Sequence, residues 1–300
     1  MTSATDIRAT EDSGKHEGIA GLSSSAWLGS VERPAIRYYG GKWKLAPWII
    51  SHFPRHENYV EPCGGAASVL LQKQPSRLET YNDLDGNVVN FFRVLRSKTD
   101  ALCDAIEMTP WSRAEYEAAL KPADVDDVEA ARRLWCCLNM SINAGNGMVS
   151  PGMRFCVREP EKLPELKSRA AMVASLRQVA ARLGMVQLEN RPALEVIERY
   201  AVEGTLCYFD PPYVSATRAQ EKRYAFEWTD DDHRKAADLL EAGGAMAVVS
   251  GYACPLYAEI YESRGWKRHD KQAGNNSGDS RTESVWLNAR TTEALGGWLL

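Results

Sequence analysis

Short apolar runs bounded by turn residues alternate along this chain with stretches whose apolar positions repeat at helical spacing. Thr205–Phe209 and Ala245–Ser250 are largely apolar runs, a pattern typical of strands that are buried on both faces of a parallel sheet. Asn58–Pro62 and Leu78–Asp83 are two further candidate strands, and Cys63–Leu71 is predicted to form a glycine turn and an apolar helix. Strands that alternate with helices in this way predict an α/β fold.

Helical spacing dominates the middle of the chain. It interrupts the strand-helix alternation, which resumes at Met185–Leu188. The predicted helices are Trp43–His52, Gly86–Arg96, Thr99–Met108, Ser112–Leu120, Asp126–Met140 and Pro164–Leu183. The first 33 residues are rich in Ser, Thr, Ala, Gly and charge and show no periodicity, so we expect a disordered leader. We therefore predict a leader over residues 1–33, a sheet domain over 34–100 and 185–300, and a mainly helical insertion over 101–184.

Charge distribution modifies this picture more than net charge does. The chain has 300 residues and a formal net charge of −4, which by itself does not indicate a nucleic-acid partner. The segment from Arg154 to Arg182, however, contains seven basic residues and only three glutamates. Such a stripe can neutralise phosphates, although basic helices are often only solvated surface.

Several classes of site are not expected. The seven cysteines show no Cys-x-x-Cys spacing and lie mostly in apolar runs, so we expect reduced thiols in a cytoplasmic protein. His52 and His56 have the spacing of a helical metal pair, but Pro54 lies between them, so no metal site is expected. No apolar stretch approaches the roughly 20 residues that span a bilayer, and we expect no membrane partner.

Asp210-Pro211-Pro212-Tyr213 directly follows the predicted strand Thr205–Phe209. A carboxylate and a carbonyl freed by successive prolines can each accept one hydrogen of an amino group conjugated to a ring. Such an amino nitrogen is a poor nucleophile until both N–H bonds are held. Tyr213 offers a stacking face, which contributes roughly 1–3 kcal/mol per base. A Pro-Pro turn with Asp210 as a helix cap is the structural alternative.

Two glycine turns lie upstream of this motif. Glu61-Pro62 leads into Gly64-Gly65, and Asp83 follows the next predicted strand about twenty residues later. In a doubly wound sheet this arrangement suits close backbone approach to a nucleotide-like ligand, with the acid on its ribose hydroxyls. By itself it is equally compatible with a dinucleotide, with AdoMet or with no ligand.

The second turn, Arg37-Tyr38-Tyr39-Gly40-Gly41-Lys42, combines aromatic and basic residues. Its glycines permit positive φ and close approach, and Lys42 can hold a carboxylate. An ordinary loop with a solvated lysine is the alternative.

Taken together and in this order, these segments resemble the Dam-type (alpha-group) adenine-specific DNA methyltransferases, including their phage-type members, over about Ala35 to Arg290. Arg281-Thr282-Glu283 is similar to the segment that opens the final strand of phage-type relatives. Two departures stand out. Cys63 occupies the position of the family's usual phenylalanine, and Ala67 that of its last glycine.

The resemblance implies a Rossmann-like AdoMet-dependent methyltransferase sheet, with 101–184 as the inserted target-recognition domain. It implies that Asp210, Pro211, Pro212 and Tyr213 form the catalytic motif. It also implies AdoMet as methyl donor, bound by Tyr38, Gly41, Lys42, Glu61, Pro62, Gly64, Gly65, Asp83 and Asp210. The expected partner is double-stranded DNA, and the expected state is a monomer in the cytoplasm of a bacterial or phage-infected cell, within a restriction-modification system.

Two loops extend this prediction. The polar segment Asn139–Gly147 carries amide side chains that can read base edges, or it is a structural loop. Ser215–Trp228 is predicted to cover the flipped base or hold the displaced strand.

The predicted activity is transfer of a methyl group to the N6 amino group of adenine in DNA. Two alternatives stay open at the level of sequence. One is amino methylation of RNA or of cytosine, and the other is a non-catalytic module that only binds AdoMet or DNA.

Overall fold

Seven strands form one mixed sheet within the part of the chain that the structure describes. The computed structural model describes residues 31–142, 152–156, 169–217, 226–274 and 280–296. The strands are β1 Asn58–Glu61, β2 Leu78–Asn82, β3 Val186–Glu189, β4 Thr205–Phe209, β5 Met246–Gly251, β6 Lys267–Gly274 and β7 Ser280–Leu287. Their order across the sheet is β3-β2-β1-β4-β5-β7-β6. This is a Rossmann-like α/β fold, as predicted.

The sheet is parallel except at one end. β1 through β5 run in the same direction, whereas β7 lies antiparallel between β5 and β6. Every residue of β4 is buried, which explains its continuous apolar sequence. The strand order reverses between β1 and β4, and the carboxyl edge at such a point is where ligands bind in open α/β sheets.

Ten α-helices lie within the described residues. They are α1 Ala46–Ile50, α2 Gly86–Ser97, α3 Thr99–Met108, α4 Arg113–Leu120, α5 Asp127–Met140, α6 Arg169–Arg182, α7 Ala193–Tyr200, α8 Asp230–Ala242, α9 Pro255–Ile260 and α10 Ala289–Gly296. Short 3₁₀ turns occur at Leu183–Met185, Ser215–Thr217 and Glu262–Arg264.

Several helix starts follow from capping side chains. Asp126 accepts hydrogen bonds from the backbone N–H groups of Val128 and Glu129, each at 2.9 Å. Thr229 and Asp232 form a reciprocal capping box at the start of α8. Such caps satisfy N–H groups that have no partner inside the helix, so the polar residues before these helices mark their beginnings.

The helices α2 to α6 all fall between β2 and β3 in the chain. α5 packs against α2, α3 and α4, and α6 packs against α2 and α3. Residues 31–300 form one compact unit. A separate insertion over 101–184 therefore stays a prediction, as does the leader. Val31 is buried and the Arg33 carbonyl accepts from Ser175, whereas residues 1–30 lie outside the described part.

Two predictions of local structure are wrong. The apolar segment after Gly64 is a run of turns over residues 65–72 instead of a helix, because Gly65 and Ala67 have positive φ values of 48° and 55° that interrupt helical geometry. The glycines and asparagines of Gln272–Ser280 predict a flexible turn, but Gln272–Gly274 belongs to β6.

One hydrophobic core lies on the face of the sheet covered by α7, α8 and α9. Phe209, Val249 and Leu240 are each fully buried there, and burying such a side chain contributes about 1.5–3 kcal/mol. Trp286 of β7 stands edge-on against Tyr257 of α9, with ring centroids 4.9 Å apart. This packing fixes β5 and β7, and with them the end of the sheet beside the Asp210–Tyr213 motif.

Candidate functional site

A cleft opens at the carboxyl edge of β1, β2 and β4. It collects segments that are far apart in sequence: the turn before α1, the loop after β1, the end of β2 and the motif after β4. The predicted site residues that line it are Tyr38, Gly41, Lys42, Glu61, Pro62, Gly64, Gly65, Asp83, Asp210, Pro211 and Pro212.

The turn before α1 aims a lysine into this cleft. The Gly41 N–H donates to the Tyr38 carbonyl at 3.1 Å, and Gly40 has a φ of 74° that a side chain would disfavour. Lys42 Nζ then donates to the Gly40 carbonyl at 2.8 Å. The lysine is 8% exposed, so it is not an ordinary solvated side chain.

Lys42 forms a buried ion pair with Asp210. Its Nζ lies 2.9 Å from Asp210 Oδ2. Burial acts to lower the pKa of Lys42, but the charges of Asp210 and Glu283 outweigh it and raise that pKa. Burial, the largest cause, raises the pKa of Asp210, while the charge of Lys42 acts to lower it. The lysine is thus held charged beside the first residue of the Asp210–Tyr213 motif.

Two polar atoms in the cleft lack a partner among the described residues. Asp210 Oδ1 and Ser68 Oγ are buried and make no hydrogen bond there, and both residues line the cleft. A buried polar group left unpaired costs about 1–3 kcal/mol. These atoms are therefore suited to a ligand that supplies donors or acceptors. Sequence reasoning missed Ser68, which lies inside the predicted apolar helix.

Tyr213 is part of the motif but not of the cleft lining. Its ring is 5% exposed, lies under Lys42 Nζ at 4.8 Å and meets the Tyr252 ring edge-on at 4.7 Å. Its hydroxyl donates to Glu283 Oε2 at 3.1 Å, and the Tyr252 hydroxyl donates to Glu283 Oε1 at 3.2 Å. Stacking of Tyr213 on a base stays a prediction, and it requires the ring face to become accessible.

The loop after β1 needs glycine at two positions. A Cβ on Gly64 would lie 2.1 Å from the Tyr81 ring. Gly65 has a φ of 48°, and its carbonyl accepts from the Tyr81 hydroxyl at 2.6 Å. The backbone therefore passes directly over the end of β2. That close passage explains the two glycines.

Glu61 is a buried acid at the floor of the cleft. Its Oε1 accepts from the Tyr59 hydroxyl at 2.6 Å and from the Leu70 N–H at 2.8 Å. Burial raises the pKa of Glu61 to about 8. Its carboxyl group is thus committed to holding the loop that follows β1, whatever else it contacts.

Asp83 joins the two sides of the cleft. Its Oδ2 accepts from the Gly65 N–H and its Oδ1 from the Asp85 N–H, each at 2.8 Å. Burial raises the pKa of Asp83 to about 6. Each carboxylate oxygen can accept a further hydrogen bond, so the group is able to receive ribose hydroxyls from the cleft.

Several lining residues had not been assigned a role. Phe226 and Trp228 border the cleft and belong to the loop Ser215–Trp228, which is predicted to cover the flipped base. Three basic residues of that loop, Arg218, Lys222 and Arg223, lie outside the described residues. Asp85 also lines the cleft and caps α2 through the Asn87 N–H at 2.9 Å.

The predicted basic stripe is wrong at Arg182. This side chain is 3% exposed and donates to Glu79 Oε2 at 2.5 Å and to the Leu70 carbonyl at 2.8 Å, so it cannot reach a phosphate. Arg177 pairs with Asp100, and Arg154 donates to the Asn139 carbonyl. Arg158, Lys162, Lys167 and residues 143–147 of the predicted base-reading loop lie outside the described residues.

The family described as D12 class N6 adenine-specific DNA methyltransferase matches residues 38–274 of this chain. The chain belongs to this family. As a D12 class enzyme it methylates the N6 amino group of adenine in DNA and uses AdoMet as methyl donor. The predicted family, fold class and activity are confirmed, and methylation of RNA or cytosine is no longer needed as an alternative.

Among its relatives, Type II methyltransferase M1.LlaDCHI of Lactococcus lactis subsp. cremoris is 23% identical over 77% of this chain and 84% of its own length. Type II methyltransferase M.MjaIII of Methanocaldococcus jannaschii is 20% identical over 85% of this D12 chain and 96% of its own. The DNA adenine methylase of Salmonella typhimurium is 25% identical over 77% of this chain and 84% of its own length.

Among solved structures, an rRNA methyltransferase from Streptomyces viridochromogenes has a TM-score of 0.40 and 14% identity, over 91% of this chain and 96% of its own. That likeness is too distant to carry an argument. In the described part of the D12 chain, no group of three His, Cys, Asp or Glu residues is arranged to hold a metal, and none of the helices there is long and apolar enough to cross a bilayer.

Proposed function

We propose that this DNA adenine methyltransferase binds AdoMet in the cleft between the two glycine turns and presents the target amino group to Asp210. The observation that carries the proposal is the unpartnered, buried Asp210 Oδ1 in a cleft that also contains the unpartnered Ser68 Oγ. A buried carboxylate oxygen without a hydrogen-bond partner is prepared to accept a hydrogen bond from a ligand.

The residues fit the proposed cofactor. Asp83 retains acceptor capacity for ribose hydroxyls, and Gly64 and Gly65 line the cleft beside it. Tyr38, Gly41, Lys42, Glu61 and Pro62 complete the proposed binding set. When bound, AdoMet supplies an electrophilic methyl group on a sulfonium centre.

Asp210 and Pro211 would act on the adenine amino group. Asp210 Oδ1 accepts one N–H, and the carbonyl of Pro211, which is followed by a residue without an N–H, accepts the other. Holding both hydrogens localises the nitrogen lone pair for direct attack. The Asp210 carboxylate also stabilises the positive charge that develops on nitrogen, and the buried setting strengthens this effect.

Entry of the base requires two changes in the site. Adenine must leave the helix stack, since its amino group is not accessible inside a duplex. Lys42 must also move away from Asp210 Oδ2 and the Tyr213 ring, which would expose a face on which the base can stack. Tyr213 then serves in base positioning while Glu283 keeps its hydroxyl fixed.

The remaining assignments concern the molecule as a whole. We infer that residues 101–184 contain the target-recognition domain, and that the enzyme works on double-stranded DNA as a monomer in the cytoplasm. The type II methyltransferases among its relatives support a place in a restriction-modification system.

The test is methyl transfer from labelled AdoMet to unmethylated duplex DNA, followed by mass spectrometry of the nucleosides. Asp210→Asn keeps the volume and an acceptor for Lys42 but removes the carboxylate charge. We expect its kcat to fall by about 10²-fold or more, with AdoMet affinity changed only a few-fold. Asp230→Asn, at the exposed start of α8, is the matched control and should behave as wild type.

Equal loss of AdoMet affinity and turnover in Asp210→Asn would contradict the assignment, because the residue would then act mainly in cofactor binding. Measurable AdoMet binding with no methylated nucleoside in the wild type would favour the non-catalytic module.

A further inference from the structure

One face of the β6–β7 hairpin carries a row of exposed basic side chains. Residues directly opposite in an antiparallel pair share a face, and every second residue along a strand returns to it. His269 pairs with Val285, Lys271 with Glu283, and Ala273 with Arg281. Lys267, His269, Lys271 and Arg281 therefore lie on one face. We call these four residues the hairpin row.

The cations of the hairpin row have no carboxylate partner within 4.0 Å among the described residues. Arg268, on the opposite face of the same strand, differs in this respect. It pairs with Glu262 at 2.9 Å and with Asp270 at 3.2 Å. Glu283 shares the face of the row, where its charge acts to raise the pKa of Arg281, and its two oxygens accept from Tyr213 and Tyr252. The two faces thus differ: the arginine on the opposite face is neutralised by two carboxylates, whereas Lys267 and Lys271 have no such ion pair among the described residues.

Side chains of α1 and the residues after it extend this surface. Lys271 Nζ lies 5.8 Å from the centre of the Trp48 ring, and the rings of His269 and His52 lie 4.8 Å apart. Trp48 and His52 are only partly buried. The surface therefore combines ammonium groups with flat aromatic groups, and in a chain of net charge −4 this concentration of basic side chains is a local exception.

The row leads towards the catalytic motif. β7 is antiparallel to β5, with Gly251 opposite Ser284, so its beginning lies at the carboxyl edge of the parallel strands. The Arg281 guanidinium lies 5.9 Å from the centre of the Tyr252 ring, and Tyr252 packs edge-on against Tyr213. One end of the row is thus separated from Tyr213 by a single ring.

We propose that the hairpin row binds the phosphate backbone of duplex DNA on one side of the target adenine. The inference rests on the proposed function of the cleft and adds a surface to it. Alternate residues of a strand are about 6.7 Å apart, which corresponds to about two steps of the 3.4 Å rise between charges along one DNA strand. Lysine and arginine on phosphates position a duplex without reading its sequence.

A protective role for the lysines is the competing explanation. β6 is the outermost strand of the sheet, and lysines on an edge strand prevent edge-to-edge association. That role predicts self-association when the lysines are removed, and it predicts no change in DNA binding. The two explanations therefore differ in what a neutralising substitution does.

The experiment measures binding of a fluorescent duplex of about 20 base pairs, by anisotropy, over a series of KCl concentrations. Each lost phosphate contact should reduce the slope of log K against log[KCl] by about 0.9. We expect a reduction of about 0.9 for Lys271→Gln and about 1.8 for Lys267→Gln/Lys271→Gln, which weakens binding by roughly tenfold or more at about 0.1 M KCl. Arg268→Gln removes one positive charge, as Lys271→Gln does, and it should leave the slope unchanged.

Three outcomes would overturn the inference: an unchanged slope in the double variant, an equal change in Arg268→Gln, or self-association of the double variant on size exclusion with wild-type DNA binding. Under saturating DNA the double variant should retain the wild-type kcat with a raised KM for DNA. If the wild type binds AdoMet but not DNA, the proposed function fails. If the wild type methylates DNA but the double variant has the same salt slope as the wild type, the proposed role of the hairpin row is refuted and the proposed function is not.

Discussion

At the scale of single residues, Ala67 is the clearest departure from local backbone preference. Its φ is 55° and its side chain is fully buried. A side chain in the left-handed region costs about 1–2 kcal/mol, whereas glycine costs about 0.5–1 kcal/mol in lost chain freedom. Ala67→Gly should therefore stabilise the protein by about 0.5–1 kcal/mol.

Ala66 is the matched control for this prediction, because it is also buried but has a negative φ. Ala66→Gly should lose about 0.5–1 kcal/mol, since it carries the chain-freedom cost without relief of strain. Urea denaturation of the two variants gives the comparison. A destabilised Ala67→Gly would show that the surrounding loop already accommodates the alanine.

Glu61 provides a prediction about pH. Its folded pKa of about 8 lies above the ordinary value of 4.5 because the carboxyl is buried. Between these values the folded protein holds a proton that the unfolded chain releases, so the free energy of unfolding decreases as the pH rises. Glu61→Gln removes this dependence while keeping an acceptor for the Tyr59 hydroxyl and the Leu70 N–H.

We expect the stability of Glu61→Gln relative to wild type to increase by about 2–4 kcal/mol between pH 5 and pH 8. Denaturation at both pH values measures this difference. Glu57→Gln, whose side chain is 75% exposed, should stay parallel to wild type. Parallel behaviour of Glu61→Gln as well would mean that Glu61 is ionised in the folded protein at neutral pH.

At the scale of elements, a buried charge cluster joins α6 to the loop beneath the cleft. Arg182 of α6 donates to Glu79 of β2 and to the Leu70 carbonyl, and Lys73 lies 2.5 Å from Glu79. Burial lowers the pKa of Lys73 to about 8. The Leu70 N–H in turn donates to Glu61, so the end of α6 supports the floor of the cleft.

Breaking this cluster should be costly. Arg182→Met leaves Glu79 with only Lys73 and the Ser76 N–H and the Leu70 carbonyl without its donor, for an expected loss of about 3–5 kcal/mol. Arg177→Met, on the same helix but exposed and paired with Asp100, should change the denaturation midpoint little. Similar midpoints for the two variants in urea would show that α6 is held by its apolar contacts alone.

The sequence predicts elements better than it predicts the contacts between them. β4 and α3 have the predicted bounds because continuous burial and helical periodicity are local signals. The segment after Gly64 has an equally apolar composition, but positive φ at Gly65 and Ala67 turns it away from a helix. The apolar composition of the segment gives no sign of these positive φ values. The position of Asp210, Pro211 and Pro212 at the end of β4 could be predicted, because the strand, the acid and the prolines are adjacent in sequence.

The contacts of Tyr213 could not be predicted in the same way. Its hydroxyl partner, Glu283, is 70 positions away, and only the antiparallel register of β5 and β7 brings the two together. The same register places Tyr252 against the ring. Ser68 was missed for a different reason: its chemistry appears only when the packed structure shows that its hydroxyl is buried and unpartnered.

At the scale of the whole molecule, the cleft joins four segments between Tyr38 and Pro212, so a ligand bound there should stabilise the entire folded unit. AdoMet at about 100 times its Kd would add about 2.7 kcal/mol, which corresponds to a rise in Tm of roughly 4–5 °C for a chain of this size. Thermal unfolding with and without AdoMet measures the effect directly.

Ser68→Ala separates ligand binding from the stability of the protein itself. The substitution removes a buried hydroxyl that has no partner among the described residues, so Tm without AdoMet should stay equal or rise. The rise caused by AdoMet should shrink by about 1–2 °C, since one hydrogen bond contributes about 1 kcal/mol. An unchanged AdoMet effect would remove Ser68 from the site, and no effect in the wild type would mean that AdoMet does not bind the folded protein at that concentration.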